Sequence, residues 1–367
     1  MENSFPPLVG EELASSLEAR KITKPTPVQS ALIPLMLENR DVIASAETGT
    51  GKTLAYLLPI YKRLDMSVKA PQAFIITPTH ELSAQVYKQA ELLMKDSAAL
   101  LIGGADINRQ IARLKQKPRV IVGSAARIIE LTKMKKLTAH YVKTIVLDEA
   151  DRLIIKDNYE STEALIKLTQ RDRQIAAVSA SISSAAKANL EKIINKPDIK
   201  IISLTGEKPA LNENVEHIYY IAEKRDKIKA LRKIAHSETG KRAIIFVNDP
   251  YDLKTTAERL NYHGLKAVAL FGDMHKSERQ KALNAFREGR ANFLVTSDLS
   301  SRGLDISGVL CIINADVPEN NETYLHRAGR TGRMGESGKV ITLVTEREQS
   351  FLANFEKSFG IKIGRSQ

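Results

Sequence analysis

The stretch VIASAETGTGKTLAYLLPIYKRL, Val42 to Leu64, decides the fold. It opens on a short apolar run that reads as a buried strand. It then passes through Ala46, Glu47, Thr48, Gly49, Thr50, Gly51, Lys52 and Thr53 and continues as a helix-length segment. Strand, glycine-rich turn and helix in this order make a phosphate-binding loop. Small residues let backbone amides approach phosphate oxygens, and the helix start adds partial positive charge. Lys52 is placed to reach the β and γ phosphates, and the Thr53 hydroxyl to coordinate Mg²⁺. Ala46 stands where such loops usually begin with glycine. The chemistry implied is binding of ATP or GTP with magnesium.

Around this loop, short β-branched runs recur: FIIT from Phe74, VIVG from Val120, TIVLD from Thr144 and QIAAVSA from Gln174. Polar segments of helix length separate them, such as ELSAQVYKQAELLMK from Glu81, the alternation of an α/β fold with an open parallel sheet. A second series follows: AIIFV from Ala243, KAVAL from Lys266, NFLVTS from Asn292, VLCIIN from Val309 and KVITLVT from Lys339. Between the series, TGEKPALNEN from Thr205 is rich in turn formers and lacks apolar periodicity. Two tandem parallel-sheet domains are therefore expected over 1–204 and 214–367, joined by a linker at 205–213. The second series ends in a short final helix, with no appended domain expected.

The chain has 367 residues, 43% hydrophobic, enough to bury a core in each of two domains. Lys and Arg exceed Asp and Glu by 55 to 43, and the excess is shared by both halves instead of collecting in a basic tail. A net charge of +12 favours an anionic partner, nucleic acid ahead of membrane. Aromatics make up only 5% and tryptophan is absent, so extensive base stacking is not suggested. Cys311, the single cysteine, excludes an intrachain disulfide and fits a reducing cytoplasm. The amino terminus does not read as a signal peptide, and no apolar run approaches a membrane span.

Two further motifs bear on the phosphate loop. In KPTPVQ, Pro25 and Pro27 stiffen the chain ahead of Gln29 and hold it near a helix start. A glutamine amide both donates and accepts, which suits N6 and N7 of adenine and mismatches guanine, whose O6 and N7 both accept. DEAD, Asp148 to Asp151, directly follows the strand TIVL, at the carboxyl end where open α/β sheets bind ligands. Asp148 would hold Mg²⁺, Glu149 would orient and deprotonate the attacking water, and Asp151 would contact another loop. Acidic residues also suit a helix start on their own account; the phosphate loop about a hundred residues upstream favours the catalytic reading.

Together these elements resemble the DEAD-box family of ATP-dependent RNA helicases, over nearly the whole chain. The resemblance implies two RecA-like domains, ATP and Mg²⁺ as cofactors, and RNA held mainly by its backbone. PTHEL from Pro78, with Thr79, the pair Gly103 and Gly104, and SAAR from Ser124, with Arg127, occupy the family's RNA-backbone positions in its first domain. SAS, Ser179 to Ser181, sits where the family couples its acidic cluster to RNA unwinding. IIFVN from Ile244, TSDLSSRGLD from Thr296 and HRAGRTGR from His326 match the principal second-domain motifs. The resemblance puts Asp305 on the ATP ribose and Thr296 and Arg302 in contact with RNA or positioning it. It puts His326 and Arg327 in coupling between the domains. The sequence departs from the family at His80 (usually arginine), at Ala125 and Ala126 (a proline and a glycine), at Lys276 (often glutamine) and at Ile22 (usually an aromatic over the adenine).

Arg330 and Arg333, three residues apart, could point together on one helical turn, and both are candidates for an arginine that stabilises transition-state charge. Lys52 and Arg330 fall on different expected sheets, so hydrolysis should require the second domain to close on nucleotide held by the first. Linkage would then make ATP and RNA strengthen each other's binding. Local duplex unwinding is the leading expectation, with an ATP-gated RNA clamp or a DNA translocase as alternatives. A cytoplasmic monomer acting on ribosomal precursor particles is the physiological expectation.

Overall fold

The computed structural model describes residues 4–46, 49–204, 211–212, 214–272, 274–301, 308–332 and 336–366. The side chains of 156, 157, 276, 299 and 301 lie outside the description as well. Two compact units emerge, Met1–Thr205 and Gly206–Gln367. Most of the expected linker, 205–210 and 213, lies outside the described residues.

The first unit is built on strands β1 (Val42–Ser45), β2 (Ala73–Ile76), β3 (Ala98–Leu101), β4 (Val120–Gly123), β5 (Thr144–Asp148), β6 (Gln174–Ser179) and β7 (Lys200–Ser203). They form one parallel sheet in the order β3-β4-β2-β5-β6-β1-β7. Apolar side chains alternate to two sides, Ile43, Phe74, Ile121, Ile145 and Ile175 on one and Val42, Ile75, Val122, Val146 and Val178 on the other. Burial on both faces explains why these strands read as unbroken apolar runs. Gly123 closes β4 where a side chain would collide with the Leu101 carbonyl, at 1.9 Å from an added Cβ, so glycine sets how tightly the chain leaves β4 beside β3.

The second unit repeats the plan with β8 (Val215–Ile221), β9 (Ala243–Phe246), β10 (Ala267–Leu270), β11 (Phe293–Thr296), β12 (Cys311–Asn314), β13 (Gly338–Val344) and β14 (Gly364–Arg365). Their order is β10-β11-β9-β12-β13-β8-β14, again with parallel neighbours. Apolar clusters pack on both of its faces, and Cys311 is buried in β12. Among the described residues no helix is long and apolar enough to cross a membrane.

Four strands go beyond the sequence reading. β3 is AALL, without the β-branched residues that mark a strand; β7 is KIIS, an edge strand with its alternate residues exposed. β8, VEHIYYI, carries charge and partly exposed tyrosines, and β14 is two residues long. β3 lacks the β-branched residues, and the other three the continuous apolar run, that revealed the rest.

Candidate functional site

In a parallel sheet every strand delivers its following loop to the same edge. Along the first sheet, β5, β6 and β1 are consecutive, so the acidic cluster, the SAS segment and the phosphate loop lie side by side. The remaining consecutive strands β3, β4 and β2 are followed by Gly103–Gly104, SAAR and PTHEL. One edge therefore carries the nucleotide motifs on one half and the expected RNA motifs on the other.

The phosphate loop leaves β1 at Ala46, whose amide donates to the Ser179 carbonyl at 3.1 Å. Glu47 and Thr48 lie outside the described residues. Gly49 and Gly51 have φ of 84° and 90°, left-handed values that favour glycine, and Gly51 caps the helix Lys52–Arg63. Lys52 folds back so that its Nζ donates to the Ala46 carbonyl. The loop is thus cinched by its own lysine across the space where small residues let phosphate approach.

Gln29 is the third residue of the helix Pro27–Leu37 and only 2% exposed. Its Oε1 accepts from the Thr26 amide at 2.9 Å in a capping box, and its Nε2 donates to the Gly51 carbonyl at 3.1 Å. The amide that sequence assigns to adenine therefore also braces the phosphate loop. Ile22 is half-buried and packs against the apolar cluster of Phe5, Leu17 and Ile33.

Asp148 ends β5 and is 5% exposed. Its Oδ1 accepts from the Glu149 amide at 2.9 Å and its Oδ2 from the Tyr56 hydroxyl at 2.7 Å. Burial pushes the carboxyl up to about 6, against the pull of the tyrosine hydrogen bond. Burial, then the facing Asp148 charge, raises the Tyr56 phenol well above its ordinary range. Tyr56 was not singled out by sequence: inside LAYLLPIY it reads as one more core residue of the helix, and it is indeed fully buried.

Glu149 adopts the left-handed conformation, φ 50° and ψ 51°, and caps the short helix Ala150–Leu153. Such a conformation in a non-glycine residue is a local strain of the kind that gathers at functional sites. Its Oε2 is buried without a hydrogen-bond partner among the described residues and sits 3.6 Å from Arg152. Asp151 accepts from the Ser179 hydroxyl, tying the acidic cluster to the SAS segment; Ser181 is half-buried. Arg152 also stands 4.0 Å from Asp151.

These donors fit magnesium. A buried carboxylate whose charged form is disfavoured gains from a cation, and Thr53 is the second residue of the helix whose Tyr56 donates to that carboxylate. Among the described residues no three His, Cys, Asp or Glu side chains converge on a metal position.

On the other half of the edge, Thr79 caps the helix His80–Met94 by accepting from the Leu82 amide at 3.2 Å, and Pro78 is half-buried. A Cβ on Gly103 would lie 3.5 Å from His80 Nε2, so the two elements touch, while Gly104 is exposed with φ 65°. Arg127 turns inward, donating to the Ala105 carbonyl at 3.2 Å and pairing with Glu130 at 2.8 Å. Ala126 is exposed and Ala125 buried. The three expected RNA elements are brought together, with Arg127 bracing the loop after Gly104.

In the second unit Arg327 is 1% exposed and serves as a hub. It pairs with Asp298 at 2.5 Å and donates to Asn248 at 2.7 Å, Asn314 at 3.3 Å and the Asp316 carbonyl at 2.9 Å, with its guanidinium 4.9 Å from the Phe246 ring centre. The second-domain motifs are thereby knotted by one arginine. Thr296 is fully buried and its hydroxyl donates to the Ser297 carbonyl at 3.3 Å. Arg279 donates to the Ser300 carbonyl at 2.9 Å.

The helix Asn321–Ala328 contains His326, half-buried, and stops before Arg330. Arg330 lies in the turn that follows, its amide donating to the Arg327 carbonyl at 3.1 Å, and the helical turn expected to join it to Arg333 runs outside the described residues. Gly329 and Gly332, the latter at φ 64°, redirect the chain there. Arg333, Arg302 and Asp305 lie outside the described residues, as does the Lys276 side chain.

Fold and motifs define a two-unit helicase core, and the chain belongs to the DEAD/DEAH box helicase family, whose model matches residues 26–214. The helicase conserved C-terminal domain matches residues 226–335. Among its relatives are the DEAD-box ATP-dependent RNA helicase CshC of Bacillus cereus, 42% identical over 92% of this chain and 86% of that protein. The probable ATP-dependent RNA helicase YfmL of Bacillus subtilis is 39% identical over 94% and 91%. Among solved structures, S. cerevisiae Dbp5 bound to RNA and ADP BeF3 aligns with a TM-score of 0.90 at 29% identity, covering 99% of this chain and 95% of that one.

Proposed function

We propose that this chain is an RNA-stimulated ATPase that remodels RNA, with Glu149 as the general base. The observation that carries this reading is the sheet edge on which phosphate loop, acidic cluster and expected RNA elements stand in adjacent strand order. In the proposal, 1–204 and 214–367 are separate domains joined by 205–213. Gln29 selects adenine, the backbone from Ala46 to Gly51 and Lys52 hold the phosphates, and Asp305 meets the ribose. Thr53 and Asp148 hold Mg²⁺, which when bound neutralises phosphate charge.

Two features support Glu149 in this role: its left-handed backbone and a carboxylate oxygen with no hydrogen-bond partner among the described residues, able to accept a proton from water. Arg330, with Arg333, approaches from the second domain on closure, an arrangement worth about 10³ to 10⁵ in rate in phosphoryl-transfer enzymes. RNA runs over Pro78, Thr79, Gly104 and Arg127 and over Arg302, with Thr296 positioning, and so favours the closed form. Asp151, Ser179, Ser181, His326 and Arg327 couple the two events.

Closure bends one strand of a duplex and releases its partner, giving local unwinding, and phosphate release reopens the enzyme. Ribosomal precursor RNA as substrate and a monomeric cytoplasmic enzyme complete the proposal. Its support is charge shared by both halves and relatives named as RNA helicases. ATP turnover measured with and without RNA tests it. Stimulation by single-stranded or duplex RNA, lost in Glu149→Gln, is expected; turnover indifferent to RNA, or stimulated only by duplex DNA, overturns it.

A further inference from the structure

Tyr56 lies one helical turn beyond Thr53, on the same face of the helix Lys52–Arg63. Its ring is fully buried in the apolar cluster that includes Val146, Val178 and Ala44, while its hydroxyl emerges against Asp148 Oδ2 at 2.7 Å. It is therefore anchored on the side chain assigned to magnesium at the end of β5, and its own helix carries the other, Thr53, one turn away.

Resting on the ATPase reading above, we propose that Tyr56 is a positioning residue that orders the Asp148 carboxylate for magnesium. A hydroxyl has one proton to give. Asp148, accepting on Oδ2, takes the proton of Tyr56. Asp148, fixed through Oδ1 by the Glu149 amide and through Oδ2 by Tyr56, keeps one orientation of its carboxylate. The carboxylate is preset before a cation arrives, which is the general role of groups that hydrogen-bond to metal ligands. A phenylalanine would fill the same space and leave Asp148 held by the Glu149 amide alone.

The test compares wild type, Tyr56→Phe and Tyr56→Leu in the full chain. Binding of a non-hydrolysable ATP analogue is measured in EDTA and across a Mg²⁺ titration. Mn²⁺ affinity of the analogue complex is read separately from the loss of its free-ion paramagnetic resonance signal. The expected result is a loss of about tenfold in Mn²⁺ and Mg²⁺ affinity in both variants, the scale found for removal of a group supporting a metal ligand. A packing role alone would leave Phe at the wild-type midpoint and shift only Leu, and that result overturns the proposal. If wild type itself shows no metal-dependent strengthening of nucleotide binding, the ATPase reading fails and this proposal falls with it. Circular dichroism and the affinity in EDTA report whether each variant is folded.

Discussion

The Gln29 side-chain nitrogen lies 3.1 Å from the Gly51 carbonyl and would meet a Cβ on Gly51 at 2.5 Å. The glutamine and the phosphate loop are therefore fitted to each other before any nucleotide arrives. Gln29→Ala removes both this bond and half of a capping box. It should cost about 1 to 2 kcal/mol of stability, seen in urea denaturation, and weaken nucleotide binding. Gln29→Glu should weaken nucleotide binding further, because it sets a carboxylate oxygen against the Gly51 carbonyl. An Ala variant with unchanged nucleotide affinity would show that the brace is dispensable.

Arg330 follows the helix end, in a turn set by glycines on either side. Arg330→Ala should abolish RNA-stimulated turnover while leaving ATP binding intact, as measured by nucleotide titration beside steady-state hydrolysis. Near-normal turnover would remove Arg330 from the catalytic set.

Arg327 differs in kind from Arg330. Its guanidinium is buried among Asp298, Asn248, Asn314 and the Asp316 carbonyl, so Arg327→Met removes four hydrogen-bonding contacts at once and leaves the buried Asn314 oxygen and Asp316 carbonyl short of a donor. A loss on the order of 3 to 5 kcal/mol is expected in chemical denaturation, as for other buried pairs deprived of one member. A variant within 1 kcal/mol of wild type would contradict the hub.

His217 gives the second unit an acid limit. Its Nδ1 is 2.7 Å from the Tyr324 hydroxyl, the ring is 5% exposed, and burial pushes its pKa down to about 4. The unfolded chain binds its proton near 6.5, so between about 6.5 and 4 the unfolded state holds more protons and stability falls as pH falls. The full effect is on the order of 3 kcal/mol. Denaturation midpoints across this range should slope less in His217→Gln; an identical slope would assign the acid loss to other groups.

The parts of the fold legible in sequence were those whose strands are buried on both sides, such as FIIT and VIVG. AALL and KIIS escaped because alanine and leucine carry no strand signature and because an edge strand keeps half of its residues wet. For the candidate site, spacing and order singled out Lys52, Asp148 and Gln29, since loop chemistry depends on local sequence. It could not reveal Tyr56 beside Asp148 or Ser179 bonded to Asp151, because those pairs are made by strand order across the sheet. Nor could it tell that Arg327 faces inward while Arg330 lies beyond the helix end; periodicity continues a helix that glycine ends.

Ile76 of β2 and Leu147 of β5 are register partners, so Thr77 and Asp148 succeed them on neighbouring strands. No spacer strand insulates the two halves of the edge. A core substitution beneath this seam that tilts β5 would drag β2 with it, and a change that improves the fit to one ligand would be felt by the other. Retuning this unit for a new nucleotide or a new strand would thus call for paired substitutions on either side of the seam, introduced together.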